Sequence, residues 1–206
     1  HLTDERPPAN RRFFHFLDDI ASGADALYIL GDLFEYWIGD DDDSAIAAEI
    51  AHRLHALVHS GTPVYFMHGN RDFLLASRFA RAGGLTLLSD PTCIDLYGTR
   101  TLLMHGDTLC TDDTQYQRLR KWLRRKWVTT LLAALPRSVR IRLARDARAD
   151  SERAKAEKDY AIMDVNAQAV IAALCATGAQ RMIHGHTHRP ARHEIELGIG
   201  RAERWV

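Results

Sequence analysis

Four times along this chain a short apolar run stops at a glycine flanked by Asp, Asn or His, and that repetition constrains the fold most. The runs are residues 27–30 before Gly31-Asp32 and 64–67 before His68-Gly69-Asn70-Arg71-Asp72. The others are 102–104 before His105-Gly106-Asp107 and 182–183 before His184-Gly185-His186-Thr187-His188. Unbroken apolar runs of this length read as strands buried on both faces. Polar clusters at their C-terminal ends lie where open α/β sheets place ligands. Helical spacing fills the gaps. Phe13, Phe14, Leu17 and Ile20 share one face over 9–21, and Ile46, Ala47, Ile50, Leu54, Leu57 and Val58 follow a cap at Ser44 and stop at Gly61 and Pro63. Val165, Val170, Ile171 and Leu174 repeat the pattern between Asp164 and Gly178. Strand and helix in alternation predict a layered α/β domain.

Residues 111–161 break that rhythm: they are helical in composition, divided by Pro136, and contain no strand candidate. They read as a helical insertion, and 206 residues suit one domain carrying such an insertion. Residues 118–148 hold eleven Lys or Arg and one acid, Asp146, so the chain's 27 basic and 27 acidic residues leave 16 and 26 elsewhere. Zero net charge therefore hides a cationic segment on an acidic remainder. Trp122, Trp127, Leu123, Leu131 and Leu132 interleave with Arg118, Arg120, Lys121, Arg124, Arg125 and Lys126. Two readings stand: a solvated basic helix packing its apolar side on the body, or a surface suited to a phospholipid headgroup boundary. Cys93, Cys110 and Cys175 form no CxxC pair, which argues against a disulfide framework and for a reducing setting. The apolar stretch at 128–135 is too short to cross a bilayer.

The strand ends supply Asp32, Asn70, His105, His186 and His188, with His1 at the first position. Carboxylate, amide oxygen and imidazole together suit Mn²⁺ or another first-row divalent ion. A metal pair needs a shared ligand, which Asp32 can be, and such a pair both generates hydroxide and neutralises a phosphoryl oxygen. His186 and His188 are two apart, so an extended segment would aim both to one side and Thr187 to the other. Arg71 directly follows Asn70, where its guanidinium would clamp a phosphate oxygen. Any one of these motifs alone is a turn, a cap or a packed histidine; four in this order, each closing a strand, point to a site. The same metal site acting on a nucleotide, nucleic acid or phosphoprotein stays open on these residues. So does a nucleic-acid-binding module with a structural zinc, although closed zinc sites use four Cys or His ligands and this set includes Asp and Asn.

Gly31-Asp32, the G-N-R-D at 69–72, the H-G-D at 105–107 and the G-H-T-H at 185–188 resemble the signature of the calcineurin-like metallophosphoesterase family. That resemblance implies a layered α/β/β/α sandwich over 1–206 with a helical lid inserted at about 111–161. The family opens on D-x-H, and His1-Leu2 is similar to the tail of that motif, so an Asp is expected just upstream. Trp205-Val206 likewise reads as stopping short of the closing strands. Longer blocks at 30–40, 68–75, 103–113, 162–166 and 184–190 resemble the branch of the family that hydrolyses a UDP-linked diacylglucosamine in lipid A biosynthesis. The branch implies Mn²⁺-dependent cleavage of the pyrophosphate into UMP and 2,3-diacylglucosamine 1-phosphate. It implies a peripheral enzyme on the cytoplasmic side of the bacterial inner membrane, with no nucleic-acid or protein partner. Two Mn²⁺ ions are implied, one held by His1, Asp32 and His188, the other by Asp32, Asn70, His105 and His186. Asp32, Asn70, Arg71 and His105 are the implied catalytic residues. Asn70, Arg71, His186, Asp113, Ser151, Lys155 and Lys158 are the implied substrate contacts, the last four of these at the glucosamine and acyl portion.

Overall fold

A computed structural model describes residues 1–157, 164–198 and 200–206. The chain divides into two compact units, His1–Leu88 with Thr129–Arg145, and Ser89–Val128 with Asp146–Val206.

The first unit runs α1 (Pro7–Asp19), β1 (Leu27–Ile29), α2 (Ala45–His59), β2 (Val64–Met67), α3 (Ser77–Gly83) and β3 (Thr86–Leu88). Its three strands form a parallel sheet in the order β1-β2-β3. Helix α1 opens on two prolines, whose fixed φ and missing N–H suit a first turn. Helix α2 takes the expected cap, with the Ser44 hydroxyl accepting from the Ala47 amide, and its Ile50 and Leu54 are fully buried. Helix α3 has no cap of its own at Ala76. Asp40 substitutes from a distant loop, accepting from the Ala76 and Arg78 amides at 2.8 and 2.7 Å. Phe34, Trp37 and Phe79 form an aromatic knot in the core, with ring centroids 4.6 to 5.4 Å apart.

Arg140 is buried in this unit. Its guanidinium donates to the Ile38 carbonyl and to both oxygens of Asp41, and its Nε to the Leu135 carbonyl. Gly39, at φ +133°, lies against that guanidinium so closely that a Cβ would overlap Nη1. Both backbone conformation and space therefore require glycine there. The hydrogen bond from Arg140 holds the Asp41 carboxyl below its usual range.

The second unit contains β4 (Thr92–Leu96), β5 (Thr99–Met104), α4 (Thr114–Leu123), α7 (Ala167–Thr177), β6 (Arg181–His184), β7 (Arg192–Leu197) and β8 (Gly200–Trp205). Two further helices, α5 (Lys126–Ala134) and α6 (Arg137–Glu157), run across the division between the units, with Pro136 between them. The five strands form one sheet in the order β4-β5-β6-β8-β7. Strands β4 and β5 make a hairpin turning at Tyr97-Gly98, both at positive φ (51° and 81°), the backbone of a type I′ turn. Helix α7 begins two residues later than the apolar pattern suggests. Asn166 caps it, accepting from Gln168 and Ala169, whereas Asp164 accepts from the Val165 amide and pairs with Arg189. Gly178 ends it in the left-handed conformation, as expected. Among the described residues no strand occurs between 111 and 157, and no helix is long and apolar enough to cross a membrane.

Candidate metal centre

Sheet register explains why the motifs meet in pairs. In the first unit β1 and β2 are parallel with Ile29 opposite Phe66, so Asp32 and Gly69 stand three residues beyond a shared rung. The approach is close: a Cβ on Gly69 would overlap the Asp32 carboxylate and amide. Asp72, fully buried, joins the two turns by accepting from the Leu33 amide at 2.8 Å and the Gly69 amide at 2.7 Å. The Asp32 Oδ1 accepts from the Arg71 amide at 3.0 Å. Its Oδ2 lies 3.9 Å from His1 Nε2, too far for a hydrogen bond. Two donors each about 2.1 Å from one ion stand roughly 3–4 Å apart, so the pair fits a shared cation. His1 is brought there by backbone pairing, the Leu2 amide to the Leu33 carbonyl and the Glu35 amide to the Leu2 carbonyl.

In the second unit β5 and β6 are parallel with Met104 opposite His184, so the H-G-D and G-H-T-H turns emerge side by side. Gly106, at φ +113°, permits the contact: a Cβ would stand 2.9 Å from His184 Nδ1 and 3.0 Å from the Gly185 carbonyl. The rings of His105 and His186 meet edge to face at 5.0 Å, and Tyr116 stacks on His186 at 6.1 Å. His105 is fully buried and its amide donates to Asp90 Oδ1. The segment at 185–188 is not extended. His186 and His188 both have positive φ (70° and 55°), so a bend, not strand alternation, orients the two imidazoles. Asp32 shares this conformation at φ 54°. Three of the four non-glycine positive-φ residues among those described are thus expected ligands, each costing roughly 1–3 kcal/mol. Such strain is retained where surrounding structure holds a side chain for use.

Of the remaining expected site residues, Asn70 and Arg71 sit in the Gly69 turn. The Arg71 guanidinium is buried, donating to Glu35 Oε1 at 2.6 Å, with Nε 3.5 Å from Asp32 Oδ2. Asp113 caps α4, accepting from the Tyr116 amide. Ser151 is exposed on α6. Lys155 belongs to α6 and Lys158 lies outside the described residues.

The insertion's arginines divide in a way composition does not reveal. Arg120 Nε donates to the fully buried Asp107 carboxylate at 2.6 Å, Tyr116 Oη donates to the same oxygen at 2.9 Å, and Arg124 lies 3.7 Å away. Burial opposes ionisation of Asp107, but the Arg120 hydrogen bond and nearby positive charges outweigh it and hold the carboxyl below its usual range. Asp90 goes the other way, raised by burial and then by the Asp107 charge. Arg120 and Arg124 are therefore anchors of α4, while Arg118 and Lys121 are exposed. Asp72, Asp90, Asp107 and Glu35 are not among the expected site residues; Asp72 and Asp107 lie inside the G-N-R-D and H-G-D turns and Glu35 three residues after Asp32, whereas Asp90 lies outside all four motifs.

The chain belongs to the calcineurin-like phosphoesterase family, whose profile matches residues 3–190. It is a metal-dependent hydrolase of mixed α/β architecture. Among curated relatives, UDP-2,3-diacylglucosamine hydrolase of Enterobacter sp. (strain 638) is 52% identical over 206 residues, all of this chain and 86% of the relative. The protein of the same name from Escherichia coli O81 (strain ED1a) is 53% identical over 195 residues, 95% of this chain and 81% of the relative.

Proposed function

We propose that this chain hydrolyses the pyrophosphate bond of UDP-2,3-diacylglucosamine, giving UMP and 2,3-diacylglucosamine 1-phosphate, with two Mn²⁺ ions. The observation that carries the reading is 52% identity across all 206 residues with a hydrolase of that name, because the match takes in the insertion helices as well as the turns. His1, Asp32, Asn70, His105, His186 and His188 are the donors assigned to the ions, a mixed oxygen and imidazole set suited to Mn²⁺. Such ions lower the pKa of bound water and offset charge on the phosphoryl oxygens. Around them Asn70 and Arg71 orient the phosphates, Glu35 keeps Arg71 in place, and Asp113, Ser151, Lys155 and Lys158 receive the sugar and acyl portion. Incubating the protein with UDP-diacylglucosamine should release UMP and the lipid monophosphate, stop on chelation and resume with Mn²⁺. Persistent hydrolysis of a small phosphodiester with no UMP release from the lipid would assign the same metal chemistry to another substrate.

The reading extends to a peripheral position on the cytoplasmic side of the inner membrane, supported by Leu119, Trp122 and Trp127, which are 53%, 47% and 57% exposed. Tryptophan rings favour headgroup depth, and each nearby cation adds about 1 kcal/mol at an anionic leaflet. Arg118 and Lys121 are the cations to test, since Arg120 and Arg124 serve Asp107. Replacing Trp122 and Trp127 with Ser and Arg118 and Lys121 with Gln should weaken sedimentation with phosphatidylglycerol vesicles at least tenfold and flatten its salt dependence. Unchanged binding would remove the insertion from the membrane contact.

A further inference from the structure

Glu35 lies between the residues this reading assigns to the metals and those it assigns to the phosphates. Its neighbours Phe34 and Trp37 are 3% and 4% exposed in the aromatic core, so the backbone that carries it is held on both sides. The Glu35 amide donates to the Leu2 carbonyl at 3.0 Å, and its carbonyl accepts from Arg71 Nη1 at 3.3 Å. The side chain is only 11% exposed, and its two oxygens face different partners. Oε1 accepts from Arg71 Nη1 at 2.6 Å. Oε2 lies 3.4 Å from His1 Nδ1, with Arg6 Nη1 at 3.6 Å. His1 therefore presents Nδ1 to a carboxylate and Nε2 toward Asp32.

We propose that Glu35 is a positioning residue that orients His1 as a metal ligand and, through its other oxygen, holds Arg71 for the substrate phosphates. A carboxylate on the far nitrogen of a ligating imidazole fixes the proton on that nitrogen and leaves the other as the donor. Nδ1 is the far nitrogen here. Removing such an outer partner weakens metal binding about 10–100-fold while the direct ligands stay intact. One carboxylate serving both functions ties the orientation of a metal ligand to that of a phosphate-binding guanidinium. The buried Glu35–Arg71 pair also keeps the guanidinium from swinging wholly onto Asp32, whose Oδ2 is already 3.5 Å from Arg71 Nε.

The inference rests on the metal-site reading above, and the test separates the two. Mn²⁺ binding to the full-length protein is titrated calorimetrically in wild type, His1→Ala, Glu35→Gln and Glu35→Ala, with melting of the metal-free forms as control. His1→Ala should lose one of two sites; binding identical to wild type there would overturn the metal-site reading itself. Glu35→Ala should weaken that same site about 10–100-fold and spare the other, with Glu35→Gln intermediate because an amide oxygen facing Nδ1 keeps the dipole but not the charge. Saturating Mn²⁺ should restore most of kcat in Glu35→Ala and leave KM raised about tenfold, since Arg71 stays unheld. Wild-type affinity at both sites in Glu35→Ala, or equal weakening of both with a matching fall in melting temperature, would overturn the positioning role.

Discussion

Asp32→Asn should lower kcat/KM at least about 150-fold, equivalent to roughly 3 kcal/mol of transition-state stabilisation, while the protein stays folded. The substitution is unusually selective. Asn tolerates the left-handed conformation that Asp32 occupies at φ 54°, as few residues do. Its side-chain oxygen can still accept from the Arg71 amide, now 3.0 Å from Oδ1. It adds no atom to the tight passage between the residue and Gly69. What changes is the charge on the group assigned to bridge two cations. A neutral amide bridges poorly, so metal occupancy and placement of the attacking oxygen fail together. Steady-state kinetics with metal analysis and a melting curve decide the matter. Near wild-type turnover at full occupancy would mean that Asp32 is not the shared ligand.

How much of this was legible in the sequence depends on what each element is made of. Strands β1, β2, β5 and β6 could be read because their apolar runs are uninterrupted and each ends at a glycine turn. Strand β3 is three residues long, and β7 and β8 carry charge on half of their positions, with Arg192 and Glu203 paired across them, so neither gives an apolar period. Helix α3 lacked a start signal because its cap, Asp40, arrives from another part of the chain. The histidine pair was legible as a pair, but not its bend, since nothing in G-H-T-H announces positive φ at two non-glycine residues. Composition marked the insertion as basic without saying which arginines turn inward. That choice belongs to Asp107, whose carboxylate is reached only once α4 is folded against the H-G-D turn. Glu35 was hidden for the opposite reason: it sits among the large apolar side chains Leu33, Phe34, Tyr36 and Trp37, of which Phe34 and Trp37 are buried in the core.

Asp107→Ala should cost about 3–5 kcal/mol of folding stability, the range for removing one partner from a buried ion pair. The carboxylate is fully buried and receives Tyr116 Oη and Arg120 Nε, with Arg124 close by. Without it the partly buried Arg120 keeps Asp90, whose Oδ2 is 3.5 Å from Arg120 Nη2. That remaining contact holds the loss toward the lower end, because Asp90 ionises more readily once the Asp107 charge is gone. Asp107→Asn should lose less than Ala, since an amide oxygen still accepts from Tyr116 and Arg120. The sign with pH follows from the lowered carboxyl. A group whose folded pKa lies below its ordinary 3.8 contributes stability above that value and loses it as pH falls through the folded pKa. The wild-type advantage over Asp107→Ala should therefore be full at neutral pH and shrink on acidification below about pH 4. Urea unfolding in chelator, at pH 7 and at pH 3.5, measures both effects with no contribution from metal at the adjacent His105. Equal stability of the two proteins at pH 7 would show that Asp107 does not anchor α4.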